Sequence, residues 1–326
     1  MIISLSRPLA VETSASGWMV VARRVLAGLW LLDGLLQCQP YMFTAKFASD
    51  VLAPSASGQP GWVSGPVLWS ARMVGAHPLA VGIVFALAQL LLAVMIFFPR
   101  TARLGLYGSI AWAMGVWFFG EGLGGLVSGQ GNLLTGFPGA ASVYVLVAVV
   151  ILAAERSRSL ASAVVRGGWL LVWCVGGSMT LASSQYLPGA ERALFSQSAG
   201  NAPAPLSGAV RSVGGLFASS QLVGIALAVV EVLLGLSVLA PPRFWRSSAG
   251  AGAVLAGFFW IFGQDLGQLW TGSATDPNTA VPLLLLSFCL ARLGYRAHTS
   301  RLGRRTLRPQ DVPARAAARA ADLEAA

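Results

Sequence analysis

WFFGEGLGGLVSG at residues 117–129 and WIFGQDLGQLWTG at 260–272 are one phrase written twice, 143 residues apart. The same shift carries Arg23 onto Arg166, Trp30 onto Trp173 and Gly34 onto Gly177. A shift of 142 carries Gln89 onto Glu231 and Pro99 onto Pro241. Self-similarity on this scale predicts a duplicated structural unit. Its nature follows from the residues between the matching positions.

Those residues are apolar. Of 326 residues, 56% are hydrophobic and 10% are charged, whereas an ordinary soluble domain carries about 25% charged residues. Mean hydropathy is +0.69. Such a chain lacks the polar material to cover a water-facing surface, which excludes a disordered protein, a disulfide scaffold and a typical cytosolic enzyme. A bilayer crossing needs about 20 apolar residues, and eight segments approach that length: 22–41, 78–98, 104–123, 138–154, 167–184, 217–240, 248–267 and 279–295. Pro282 interrupts the start of the last. The predicted fold is an all-α polytopic membrane protein of eight transmembrane helices. Four spans per copy is an even number, so the two copies share one orientation as parallel repeats. The units run over 1–160 and 161–296, followed by a basic tail at 297–326.

The formal net charge is +10. Its arrangement follows the rule that cytoplasmic loops carry the excess of arginine and lysine. With the N-terminus inside and eight spans, 18 of the 22 basic residues fall on the cytoplasmic side, leaving Lys46, Arg72, Arg192 and Arg211 outside. Losing one span would invert everything after it. The expected location is the plasma membrane with both termini cytoplasmic, and the first apolar run reads as a retained helix rather than a cleaved signal. The Arg-rich tail suits anionic inner-leaflet lipid, so nucleic acid is not needed as a partner. Two long outer connections, 43–77 and 185–216, each open with a short amphipathic piece and continue as a Pro/Ser/Gly-rich stretch. A short surface helix followed by an irregular cap is expected in each.

Polar side chains inside apolar runs are costly and by default mark a function or a buried pair. Asp33 lies ten residues past Arg23, about 15 Å along a helix, with Gln37 one turn further on the same face. Gln89 on the second span and its repeat counterpart Glu231 lie at similar depth. Position 176, the counterpart of Asp33, is glycine. One carboxyl therefore remains in each unit, on different helices. Asp33, Gln37, Gln89 and Glu231 can form a protonatable site or contact a quinone-like headgroup; equally, each acid can tie neighbouring helices together. At the outer interface stand Glu121, Gln264, Asp265 and Gln268, among glycines that permit a turn or tight crossing. Cys38, Cys174 and Cys289 sit singly, and the only histidines are His77 and His298. No metal-ligand cluster, Walker loop, dinucleotide fingerprint or Ser–His–Asp set is present, so no cofactor is bound by an evident motif.

Arg24-Val-Leu-Ala-Gly28 with Gly34, Glu231-Val-Leu-Leu-Gly235 and Pro242-Arg243 resemble the pattern of DoxX/DoxD-like four-helix membrane proteins, here in tandem. The first unit departs from it with Gln89 and Ala93. The resemblance implies an accessory or quinone-interacting subunit of a membrane redox system, with a redox or extracytoplasmic protein partner supplying the electron carrier. Two further readings remain open: a small-solute or proton-coupled carrier, and a non-catalytic scaffold whose outer loops dock a partner.

Overall fold

A computed structural model describes residues 13–305. Among them the chain is all-helical, with no strand. The long helices are α1 Thr13–Leu36, α2 Gly61–Ala76, α3 Pro78–Phe97, α4 Ala102–Phe119, α5 Ala140–Arg156, α6 Arg158–Ala182, α7 Pro188–Asn201, α8 Ala204–Phe217, α9 Gln221–Leu236, α10 Trp245–Phe262 and α11 Ala280–Arg305. Residues 297–305 continue α11, and the rest of the predicted basic tail lies outside the described residues.

Each of the eight apolar segments falls on a helix: α1, α3, α4, α5, α6, α9, α10 and α11. Three stretches are long and apolar enough to cross a membrane: Pro78–Phe97, Arg158–Ala182 and Gln221–Leu239. The others fall short for visible reasons. α5 has 17 residues, α1 carries Arg23, Arg24 and Asp33, and glycine, serine and tryptophan dilute α4 and α10. Their outer faces are nonetheless apolar. Leu79, Ile83, Leu87 and Leu91 on α3, Leu104 and Met114 on α4, Leu222, Val230 and Leu233 on α9 and Val254 on α10 are all exposed. A contiguous apolar surface of this extent requires a non-aqueous or protein neighbour.

The helix pairing recurs along the chain. α1 packs on α3 and α6 on α9; α4 packs on α5 and α10 on α11. α5 and α11 meet between the two halves, α1 also reaches α11, and α6 also reaches α5. Arg23 donates to the carbonyls of Ile96 and Phe97 at the end of α3, and Arg166 donates to that of Val238. In both cases a guanidinium satisfies carbonyls left open at a helix C-terminus. Gly34 lies against Leu90, and Gly177 against Val232 and the Ala228 carbonyl. The two pairs occupy matching positions in the repeat, and both allow close helix approach.

The outer connections depart from expectation in part. The short helix expected at the start of the second is present as α7, but the stretches read as irregular caps are helical too: α2 in the first and α8 in the second. Proline is the reason. Pro60 and Pro203 stand immediately before α2 and α8, and Pro188 opens α7, where a fixed φ and a missing N–H suit a helix start. The first span also sits earlier than its expected bounds. α1 ends at Leu36, so Gln37–Tyr41 lie in turns.

A methyl group at Gly177 would stand 2.6 Å from the Ala228 carbonyl oxygen, whereas one at Gly28 would meet nothing within 4 Å. Gly177→Ala is therefore expected to destabilise by about 1–3 kcal/mol. Gly28→Ala should be neutral or stabilising, since alanine is the better helix former. Thermal unfolding in detergent checks the pair; equal effects would contradict the close crossing.

Candidate functional site

A cavity of about 360 Å³ lies inside the first half, walled by α1, α3, α4 and α5. Phe47, Val51 and Leu52 of the short turns, with Trp69 of α2, cover it. Seven aromatic side chains line it. Trp30 packs edge-on against Tyr144 at 4.9 Å, and Phe85 meets Trp112 at 5.5 Å. The Trp30 indole donates to Ser109 Oγ at 2.8 Å, which fixes its ring. Ala111, Trp69 and Phe119 line the cavity while remaining exposed, so its mouth opens sideways onto the apolar outer face of α4.

Into this apolar space point polar groups without partners. Asp33 Oδ1, Gln37 Oε1, Gln89 Oε1, Glu121 Oε2, the Tyr144 hydroxyl and the Trp112 indole N–H are buried without a hydrogen bond of ordinary geometry, and among them only Asp33 and Tyr144 face each other closely enough to interact. Asp33, Gln37, Gln89 and Tyr144 are among the buried residues of the chain. Buried polar atoms are normally paired, and each unpaired one costs about 1–3 kcal/mol. Six around one cavity is a strong signature of a site. Four of them are acceptors, and among the described residues no lysine, arginine or histidine lines the space.

The structure thus brings Asp33, Gln37, Gln89 and Glu121 together. It does not bring Glu231 to them. Glu231 is buried in the second half, where it faces Glu191 of α7. The expected outer group is likewise divided. Gln264 accepts from the Ala280 N–H at 2.9 Å and donates to the Leu133 carbonyl at 3.1 Å, so it holds helix ends together. Asp265 accepts from Asn201 at 3.3 Å and from Gln268 at 3.4 Å beside a smaller cavity of about 250 Å³. Burial raises the Asp265 carboxyl, opposed by hydrogen bonds from Asn201, Ser198 and Gln268.

The repeated phrase has a repeated geometry. Trp117 donates to the Pro138 carbonyl at 2.7 Å, and Trp260 to that of Pro277 at 2.9 Å. Glu121 Oε1 accepts from the Ala141 N–H at the start of α5, as Gln264 Oε1 does from Ala280 at the start of α11. Leu123 and Gly124, and likewise Leu266 and Gly267, take left-handed backbone. The chain then turns across to the opposite half. Leu133 and Phe137 lie against Gly176 in the second half, and Asp276 lines the cavity of the first. The two loops touch where Thr279 Oγ1 donates to the Gly136 carbonyl.

Sequence reasoning missed Trp112, Tyr144 and Asp276. The signal for Asp276 was present: aligning Pro138 with Pro277 sets Phe137 against Asp276. The second half carries different side chains at the matching positions. Gly176, Thr180, Leu255 and Leu283 replace Asp33, Gln37, Trp112 and Tyr144, and Phe195, Phe217, Phe258 and Phe259 pack together nearby.

Beyond the cavity lies a larger, mostly polar vestibule of about 610 Å³, reached by Tyr41, Asp50, Gln130, Asn132, Gln268 and Asn278. Glu121, Thr275 and Asp276 line both spaces. Burial raises the Asp276 carboxyl, while the Thr275 hydroxyl and the Asn278 N–H, donating at 2.8 and 2.7 Å, pull it back. Comparison with protein-family models, curated proteins and solved structures returned no significant match.

Glu191 carries a pH signature. Burial pushes its carboxyl up from an ordinary 4.5 to about 7. Between those values the folded chain binds more protons than the unfolded one, so stability falls as pH rises through that window. Glu191→Gln should flatten this part of the pH dependence. Melting temperatures between pH 5 and pH 8 check it; an unchanged slope would remove the assignment.

Proposed function

We propose that the chain is a DoxX/DoxD-like membrane protein, crossing the plasma membrane eight times as two parallel four-helix units with both ends cytoplasmic. Its first unit receives the headgroup of a membrane hydroquinone, and the chain serves as an accessory subunit of a membrane redox system. The membrane reading is supported by the apolar outer faces of α3, α4, α9 and α10. The segregation of arginines to one set of connections and the duplicated hydrogen bonds of Trp117 and Trp260 support the two-unit topology.

One observation carries the ligand assignment: a cavity with seven aromatic side chains in its lining, open toward the apolar exterior, in which Gln37, Gln89 and Glu121 present unpartnered acceptors, Trp112 an unpartnered donor, and Asp33 and Tyr144 face one another. A hydroquinone complements that set. Its hydroxyls donate to carboxyl and amide oxygens, its ring stacks among Trp30, Trp112 and Tyr144, and its tail leaves by the sideways mouth. Asp33 is one acceptor, since its buried carboxyl oxygen lines the cavity. Tyr144 and Trp112 supply the donors that an oxidised carbonyl needs. In this reading the electron carrier belongs to a partner protein.

Trp30 and Trp112 line the cavity, so intrinsic fluorescence reports occupancy. A short-tailed hydroquinone is expected to quench it saturably in nanodiscs. Gln89→Leu and Asp33→Asn should each weaken binding about ten-fold, corresponding to roughly 1.4 kcal/mol. Unchanged affinity in both variants would refute the site. Tighter binding of a tailed ammonium than of the hydroquinone would instead support the carrier reading, because the cavity has three carboxyl side chains and no cation.

A further inference from the structure

The hydroquinone cavity and the polar vestibule are separated by a wall in which two carboxyl side chains, Glu121 and Asp276, border both spaces. We propose that these two residues relay protons between Asp33 and the vestibule, so that the protonation of Asp33 follows the aqueous compartment on that face of the membrane. The proposal rests on the hydroquinone reading for its purpose, since a bound headgroup needs a place to exchange protons. Its geometry is independent of the ligand.

Three observations support the relay. First, the polar groups share the lining of the cavity and its border with the vestibule. Asp33 stands within one turn of the vestibule-side end of α1, the Tyr144 phenol faces it, and Glu121 and Asp276 both act on it electrostatically. Second, Glu121 is only half engaged: one carboxyl oxygen caps the start of α5 through Ala141 N–H, and the other has no partner. A proton can therefore be carried on the free oxygen without dismantling the cap. Third, Asp276 is delivered by a loop from the other half, at the place where the equivalent loop inserts Phe137 beside Gly176. A purely structural plug would be served by the phenylalanine. The half that retains Asp33 receives a carboxyl instead.

The titratable groups facing the relay, among the described residues, are acidic or phenolic. They are Asp33 and Tyr144 on the cavity side, and Tyr41 and Asp50, hydrogen-bonded to one another at 3.2 Å, on the vestibule side. Among the described residues no lysine, arginine or histidine lines either space. Nothing there pins the carboxyls permanently as ion pairs, so they remain free to exchange protons. The step is a proton transfer only: an O–H bond breaks on one carboxyl as another forms on the next, and no electron moves.

The test uses the full chain reconstituted with known orientation in sealed vesicles. The protonated carboxyl of Asp33 is followed by the infrared band that Asp33→Asn removes. A pH jump confined to the compartment facing residues 40–76 should shift this band, and a jump on the opposite side should not. Combining Glu121→Gln with Asp276→Asn should slow the response at least ten-fold, and restoring either carboxyl alone should recover part of it. A response driven from the opposite compartment overturns the relay, as does a wild-type rate in the double variant. The sidedness measurement needs only the native residues at 121 and 276, so it decides the matter even where the double variant fails to fold. Hydroquinone affinity is measured separately. A working relay without hydroquinone binding would retire the ligand assignment and leave the relay standing.

Discussion

Everything in this molecule hangs on how α4 and α10 end. Each helix stops at a glycine, turns through left-handed backbone, and is clamped to the next helix by two hydrogen bonds: tryptophan indole to proline carbonyl, and side-chain oxygen to the first free N–H of α5 or α11. Free N–H groups at a helix start must find partners, and here an acid or amide from the preceding helix end supplies one. The clamp fixes where α5 and α11 begin, and those are the helices at which the two halves meet. It also launches the intervening loops across that meeting line, so each half is completed by residues of the other.

The exchange explains why two copies of one plan hold different interiors. The first half keeps Asp33, Gln37, Trp112 and Tyr144 and receives Asp276; the second has Gly176, Thr180, Leu255 and Leu283 and receives Phe137. In the second half Phe195, Phe217, Phe258 and Phe259 pack together. Unpaired buried atoms occur in both halves, with Glu191 Oε2, Glu231 Oε2, Asp265 Oδ1 and the Trp173 indole N–H in the second, but six of them line a single cavity in the first. That convergence is the physical basis for assigning the site to the first half.

The duplication, the helical segments and four members of the cavity were legible in the sequence because each depends on local pattern. Glycine spacing, apolar run length and the depth of Asp33, Gln37 and Gln89 can be counted along the chain. Glu121 announced itself through the repeated phrase, although its role as a helix cap did not. What could not be read was partnership across the fold. Nothing local to Tyr144 or Trp112 sets them apart from the other aromatic residues. Glu231 was grouped with Asp33 by depth, yet it faces Glu191 of α7 in the second outer connection. Asp276 sits in a loop far from Asp33 along the chain, and only the crossing of the loops brings the two together.

The central claim is that the interior of the first half is a ligand site and not a packing defect. Electron cryomicroscopy of the protein in nanodiscs, prepared with a total extract of its native membrane lipids, tests this most directly. The account predicts planar density between Trp30, Trp112 and Tyr144, within hydrogen-bonding reach of Asp33 or Gln89, with an elongated tail emerging beside Phe119. An empty or collapsed interior, with those polar atoms paired to one another, would contradict it.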